Sequence, residues 1–499
     1  MTDTLQLILA LVAVVLAGTG LATGDPRVRW LLMLGALVSA FALICGLAWD
    51  GPLADAREQP ALLALTALVG LAVLLALAVL FDRHPEAVPL LAVVALPFRI
   101  PVELGGETSN LLIPLYLVIA ASTVAVAARA VRSTDRATAR LSNRPLDLVL
   151  GLALVLYGLQ ATYSDDITAA ATTVAFFLAP FAVLYALLVR IEWSKALLVK
   201  CLVIITAEAV LFSLVGIVQA AVGEIFWNPA LIASNDFHLY FRVNSLFWDP
   251  NIFGRYLALV LLLVTSSLVW IEGRSRSLAV ALVIAFLWAG LLFAWSQSSF
   301  ISLIVGLLVL VALRYSLRTS LLAAPFVIVA LIAAVFFGAE REDSRGAAAA
   351  ATSGRTSLVD GGLALAVDRP VGGWGSGSFS VAFAEREGLD PGQTSVSHNE
   401  VVTVAAEQGL AGLCVYALIL VVAAWTLFGG TGSVAAGLGG SLPREGEARA
   451  VVQTRIALAA GFSLLFAHTM GYAGFLTDPL CWAVLAIAAA LGGRLRRRP

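Results

Sequence analysis

The chain predicts an all-α polytopic membrane protein, and three observations carry that reading. The 499 residues are 60% hydrophobic and 13% charged, against roughly 45–50% and about 25% in soluble domains. The apolar residues come in runs close to the ~20 residues that cross a bilayer core. Basic residues collect in alternate connections between those runs, the pattern of the positive-inside rule. The net charge of -1 says little, because in a membrane chain the distribution of charge outweighs its sum. Cys45, Cys201, Cys414 and Cys481 all fall in apolar runs without C-x-x-C spacing, so neither a metal site nor a disulfide frame is read from them.

Taken in order, the start Met-Thr-Asp-Thr has no basic segment. The run 4–23 is therefore read as a retained helix and not as a cleaved signal. Spans 28–49 and 60–81 follow, then 87–98, which is short enough to be re-entrant. The runs 110–130, 146–162, 168–190 and 196–222 complete an N-terminal group. A central group holds 251–271, 278–294, 298–313 and 321–337. The runs 410–428, 451–470 and 480–491 close the chain, for about 12–15 membrane helices. The chain thus divides into N-terminal spans (1–222), an outer loop (223–250), central spans (251–338), a large outer loop (339–409), and C-terminal spans with a basic tail (410–499).

Orientation follows from the arginines. Arg129, Arg132, Arg136, Arg140 and Arg144 crowd one connection, and Arg190, Lys195 and Lys200 another. Arg274, Arg276, Arg314, Arg318 and the tail from Arg494 continue the series. These ends are assigned to the cytoplasm. The two long loops and the turn 471–478 then face outward.

The first long loop is aromatic, with Phe226, Trp227, Phe237, Tyr240, Phe241, Phe247 and Trp248, and is read as short amphipathic helices at the interface. It ends in Asp249-Pro250-Asn251, where Asp249 suits an N-cap and Pro250 the first helical position. Arg242 lies upstream. Arg255 lies one turn inside the next span, where a charge is expensive and usually purposeful, although a surface arginine is more commonly a headgroup anchor. The second loop carries Arg355, a helix-forming stretch over 358–367, and four glycines within 372–377. Glycines there bring backbone close to a ligand and offer N–H donors. No Lys-Ser/Thr follows, which excludes a nucleotide P-loop.

The chain is organised around Ser397-His398-Asn399-Glu400. Ser397 and Glu400 have capping-box spacing, which predicts Ser397 as N-cap and His398 in the first helical turn. A helix N-terminus disfavours a charged imidazole, leaving His398 able to accept a proton. Glu407 is read either as an acid pairing an arginine or as a solvated carboxylate, and Gly409 as the end of the short helix. His468 and Asp478 flank the last outer turn. A histidine at a span's end is more commonly a packed, hydrogen-bonded residue than a catalyst, so both rank with Asn399, Glu407, Asp249 and Asn251 as a second tier.

These stretches resemble the O-antigen ligase and O-antigen polymerase family of membrane glycosyltransferases. The resemblance runs from about Arg242 to Asp478. It rests on Arg-x-x-Ser-x-Phe-x-Asp-Pro-Asn over 242–251, on the Gly-Arg to Gly-x-Gly-x-Phe series over 354–379, and on His398, Asn399, Glu407, Gly409 and Gly412. One departure is Ser296-Gln297, where many members have Ser-Arg. The resemblance implies a GT-C-like bundle in the cytoplasmic membrane that moves a glycan from a polyprenyl pyrophosphate to an acceptor hydroxyl on the outer face. The acceptor is a glycan or glycolipid. No cofactor, metal or nucleic acid is implied.

The residues agree with that implication. A pyrophosphate leaving group needs its charge stabilised. The outer loops lack a carboxylate cluster of the kind magnesium uses, whereas arginine binds phosphate oxygens bidentately. The expected assignments are His398 as general base, or else as a further pyrophosphate donor, and Arg242, Arg355 and Arg255 on the pyrophosphate. The competing reading is a transporter or flippase of lipid-linked saccharides, which would show inverted repeats and several charges at mid-membrane. The sequence shows no clean repeat.

Overall fold

A computed structural model describes residues 1–49, 52–104, 107–132, 144–237, 240–268, 271, 273–315, 355–390, 397–429 and 447–495. The expected span 321–337 lies outside them. The described chain is a helical bundle, with eleven helices long and apolar enough to cross a membrane and two shorter apolar ones, Pro145–Ala161 and Pro479–Gly492.

The N-terminal group comprises α1 (Asp3–Ala22), α2 (Pro26–Leu47), the short α3 (Pro52–Arg57), α4 (Pro60–Arg83), α5 (Ala87–Ala95) and α6 (Ile113–Arg132). Then come α7 (Pro145–Ala161), α8 (Ile167–Thr173), α9 (Ala179–Leu188) and α10 (Lys195–Val222). The outer loop contributes α11 (Pro229–Phe237), and the central spans are α12 (Pro250–Leu268), α13 (Arg274–Ala294) and α14 (Gln297–Arg314). The second loop forms α15 (Arg355–Asp368) and α16 (Phe379–Glu387), before α17 (Glu400–Phe428), α18 (Glu447–Thr469) and α19 (Pro479–Leu495).

Local chemistry explains the starts and stops. Asp25 accepts from the N–H groups of Arg27 and Val28, with Pro26 opening α2. Ser194 accepts from Leu197 N to begin α10, which ends on Gly223 at φ 76°. A π-helical turn at Val174–Leu178 joins α8 to α9. Such a turn breaks the regular carbonyl ladder, and the Tyr116 hydroxyl donates to Phe176 O across 2.7 Å. The run 87–98, read as short enough to be re-entrant, yields nine helical residues, about 14 Å of rise, roughly half a bilayer core. One departure from the expected spans appears early. The residues before α6 form an antiparallel hairpin, Ile100–Leu104 with Glu107–Leu111, so the sixth helix begins at Ile113 and not at 110.

Membrane helices gain little hydrophobic drive from meeting each other and depend on close packing of small residues. Gly18 of α1 and Gly151 of α7 illustrate this: a Cβ added to either would lie 2.8 Å from the other's carbonyl oxygen. The segment Ile167–Leu188 runs through the middle of the bundle, while Pro60–Arg83 presents nearly all its side chains outward.

The two ends of the bundle differ in kind. At one, Arg129 and Arg132 hold Asp82 at 3.1 and 3.3 Å, Arg27 Nε donates to Ala130 O, and Arg455 donates to Thr426 O. Of these, Arg129 and Arg132 belong to the basic series of the charge pattern. At the other end the two outer loops meet. Leu365, Phe379, Ala382, Phe383 and Ala406 form a small separate core that fastens α15 and α16 onto α17.

Candidate active site

The glycine-rich loop and α17 build the frame of the site. Gly373, Gly375 and Gly377 all have positive φ, at 70°, 100° and 80°, backbone that side-chain-bearing residues rarely adopt. Gly375 N donates to Glu407 O at 2.8 Å and Trp374 N to Ala406 O at 3.0 Å. Gly377 N donates to Glu407 Oε2 at 2.9 Å and Phe379 N to Glu407 Oε1 at 3.3 Å. The donors expected to face a ligand are therefore bonded to the protein itself. Likewise Glu407, buried at 7% exposure, accepts backbone N–H groups and does not pair an arginine. Its role is to lock the loop.

Gly409 ends the short helix, as its spacing predicted: it stands at φ 59° and ψ -157°, a conformation open essentially to glycine alone, and the membrane-spanning part of α17 resumes beyond this kink. The 370–373 segment of the loop lies against the kink. Leu410 N and Ala411 N donate to Pro370 O and Val371 O, and Gln160 Nε2 bridges Gly372 O and Gln408 O.

The start of α17 also differs from expectation. Asn399, not Ser397, is the N-cap, its side chain accepting from Val402 N at 3.2 Å. The Ser397 hydroxyl is engaged elsewhere, donating to Asn399 O at 2.7 Å and lying 2.8 Å from Thr403 Oγ1. Glu400 closes no capping box, because its carboxylate accepts from Gly474 N at 2.6 Å. His398 therefore precedes the helix, in the left-handed region at φ 57°, half-buried. Asn399 Nδ2 donates to Met470 O, tying this start to the outer turn after α18.

That turn supplies the partners. The His398 ring centroid lies 5.9 Å from that of Tyr472, and His468 lies 6.1 Å from the same ring. The Arg255 guanidinium carbon sits 5.7 Å from the Tyr472 centroid. Tyr472 is thus the hub between His398 and Arg255. Desolvation pushes its hydroxyl well above the usual tyrosine range, and it bonds to the Asp249 carboxylate, so it stays a neutral donor. Arg255, 4% exposed, does not reach outward to headgroups. Its Nε lies 2.8 Å from Asp478 Oδ2, itself 2% exposed. Neither atom is aligned for a hydrogen bond, and Arg255 Nη1 has no acceptor among the described residues. The contact is an ion pair that leaves donor capacity unused.

The first-loop motif folds as its residues predict. Asp249 accepts from Asn251 N at 2.6 Å and Pro250 opens α12. Asn251 Oδ1 accepts from Ser296 Oγ at 2.9 Å. His468, fully buried, lies 3.2 Å from the hydroxyls of both Ser298 and Ser299, the packed role that its position suggested. Gln297, where a family arginine was noted, is exposed at the first turn of α14. The Arg242 backbone is clamped at both N and O by Asn235, and its Nε is buried with no acceptor among the described residues. Arg355 is the first residue of α15, and its side chain lies outside the described atoms.

A cavity of about 280 Å³ lies alongside, lined by Tyr157, Thr403, Glu400, Glu407, Gly474 and Thr477 among others. Among the described residues no group of three or more His, Cys, Asp or Glu could hold a metal ion. Sequence reasoning missed Tyr472 and Arg99. Arg99 follows α5 and has Asp478, Arg255, Tyr116 and Tyr472 as electrostatic neighbours; burial lowers its pKa and Asp478 opposes that shift. A signal for it existed: an arginine closing an apolar run too short to span.

Residues 257–417 match the family model described as O-antigen ligase. The match runs from within α12 to within α17 and supports the O-antigen ligase reading of the motifs. No curated protein matches it. The ligase-family match holds Arg355, His398 and Glu407, whereas Arg242, Arg255, His468, Tyr472 and Asp478 lie outside its limits. The candidate site is therefore drawn from both flanks of the matched segment as well as from within it.

Proposed function

We propose that this O-antigen ligase-like membrane enzyme transfers a glycan from a polyprenyl pyrophosphate to an acceptor hydroxyl at the non-basic end of the bundle, which faces away from the cytoplasm. The observation that carries the reading is one aromatic ring, Tyr472, holding His398 on one side and the buried Arg255–Asp478 pair on another. A proton acceptor and a guanidinium with spare donors are the two groups such a transfer needs.

In the reaction His398 takes the proton of the acceptor hydroxyl as its oxygen attacks the anomeric carbon. The bond from that carbon to the phosphate oxygen breaks, and the electron pair leaves with the pyrophosphate. Attack from the face opposite the leaving group inverts the anomeric centre. Arg255, Arg242 and Arg355 hold the pyrophosphate oxygens, and Asp249, with Tyr472, fixes the geometry between base and cation. The polyprenyl tail lies between membrane helices.

The test is incubation of purified protein with a defined polyprenyl-pyrophosphate glycan and an acceptor, in EDTA, with products scored by mass. A single capped product marks a ligase and a ladder marks a polymerase. No transfer product from a range of acceptors would remove the reading. Transport has less support. Among the described spans a carboxylate near mid-length is Glu208 on α10, and it is satisfied by the Tyr256 hydroxyl at 3.0 Å.

A further inference from the structure

We propose that Arg99, contributed by the N-terminal half of the chain, is a further guanidinium on the donor's pyrophosphate; this rests on the donor reading above. Phe98 packs edge-on against Phe212 at 5.8 Å, and Phe212 in turn packs against Phe247 and Tyr256. That aromatic cluster fixes the turn after α5 beside the start of α12. Arg99 is brought among Asp478, Arg255 and Tyr472 as a result.

Two guanidinium groups beside one carboxylate, which pairs directly with Arg255 alone, repel each other unless further negative charge joins them. The other carboxylates nearby already have partners. Asp249 accepts from Asn251 N and bonds Tyr472, and Glu400 accepts from Gly474 N. Meanwhile Arg99 Nε and Arg255 Nη1 are buried with no hydrogen-bond acceptor among the described residues, and Arg255 Nε meets only Asp478, as an ion pair at 2.8 Å. Buried donors in a folded protein are almost always satisfied, so two neighbouring arginines with open donors need a cause. A diphosphate fits: it carries more than one negative charge and offers oxygens to several guanidinium forks at once. Asp478 then keeps the arginines in place until the anion arrives.

The experiment uses the full chain in lipid nanodiscs, with a short-chain polyprenyl pyrophosphate and the matching monophosphate as probes. Wild type should bind the pyrophosphate more tightly than the monophosphate. Arg99→Gln should weaken pyrophosphate binding about tenfold or more, the loss of a charge-assisted contact, and narrow the preference. Arg99→Lys, which keeps charge but not the fork, should fall between the two, and it decides the matter if Arg99→Gln does not fold. Arg386→Gln, at an exposed ion pair on α16, should bind as wild type. If wild type binds and both Arg99 variants bind equally well, the inference fails alone. If wild type does not bind the pyrophosphate, the donor reading fails and takes the inference with it.

Discussion

His398 holds a left-handed backbone angle, φ 57°, that histidine tolerates less well than asparagine or glycine. Replacing it therefore risks confusing chemistry with backbone relief. His398→Asn separates them, since asparagine accepts the angle but is no base. The folded variant should lose roughly 10²–10⁴-fold in transfer, the usual contribution of a general base, while binding the lipid donor normally. Turnover near wild type would remove His398 from the reaction. Tyr472 makes a subtler prediction. Tyr472→Phe keeps the ring that His398 and Arg255 contact and loses only the hydroxyl bond to Asp249. A bond to a charged group contributes about 1.5–3 kcal/mol, so a thermal melt should show a modest loss, with part of the activity kept. Tyr472→Ala should abolish activity. At this scale the sequence singled out His398, Arg242 and Arg255 as candidates, because their types and placement are unusual. It hid Tyr472, an ordinary aromatic in an outer turn whose meaning comes only from its neighbours.

α17 and the glycine loop act as one element. Glu407 receives the two loop N–H groups of Gly377 and Phe379, and Gly409 opens the kink into which the loop fits. Glu407→Ala leaves those donors unmet and should cost about 2–6 kcal/mol, from about 1–3 kcal/mol for each buried donor left without a partner. Glu407→Gln keeps an acceptor and should cost less, the difference being read as a shift in melting midpoint. Gly409→Ala should be at least as damaging. Its φ and ψ cost about 1–3 kcal/mol for an alanine, and the added Cβ would lie 2.6 Å from the Val371 carbonyl carbon. Spacing alone placed a glycine break here. It could not show that the break accommodates another loop, because the loop's hydrogen bonds are long-range. The same limit misplaced the N-cap. Ser397 and Asn399 both suit the position, and the choice depended on Thr403 and Met470, which hold the competing side chains.

Across the whole molecule, basic contacts such as Asp82 with Arg129 collect at one end, and the loops that carry the site collect at the other. The charge pattern assigns the basic end to the cytoplasm. In a cysteine-free background, Glu385→Cys on the exposed flank of α16 should be labelled by a membrane-impermeant maleimide in spheroplasts. Arg276→Cys, exposed at the start of α13, should react only after permeabilisation. The reverse pattern would place the site in the cytoplasm and rule out the proposed donor geometry.

By itself the sequence determined the class of protein, most of its spans, its charge asymmetry and the family to which its motifs point. Each of these is written in local composition or in fixed spacing. Only the tertiary structure decided that the turn at 472–478 joins His398 to Arg255, that the glycine loop serves α17, and that Arg99 reaches the same place from the far end of the chain. Those facts depend on which helix ends pack side by side. Apolar runs of similar length and composition encode that weakly, because hydrophobicity drives each helix into the bilayer without specifying its neighbour.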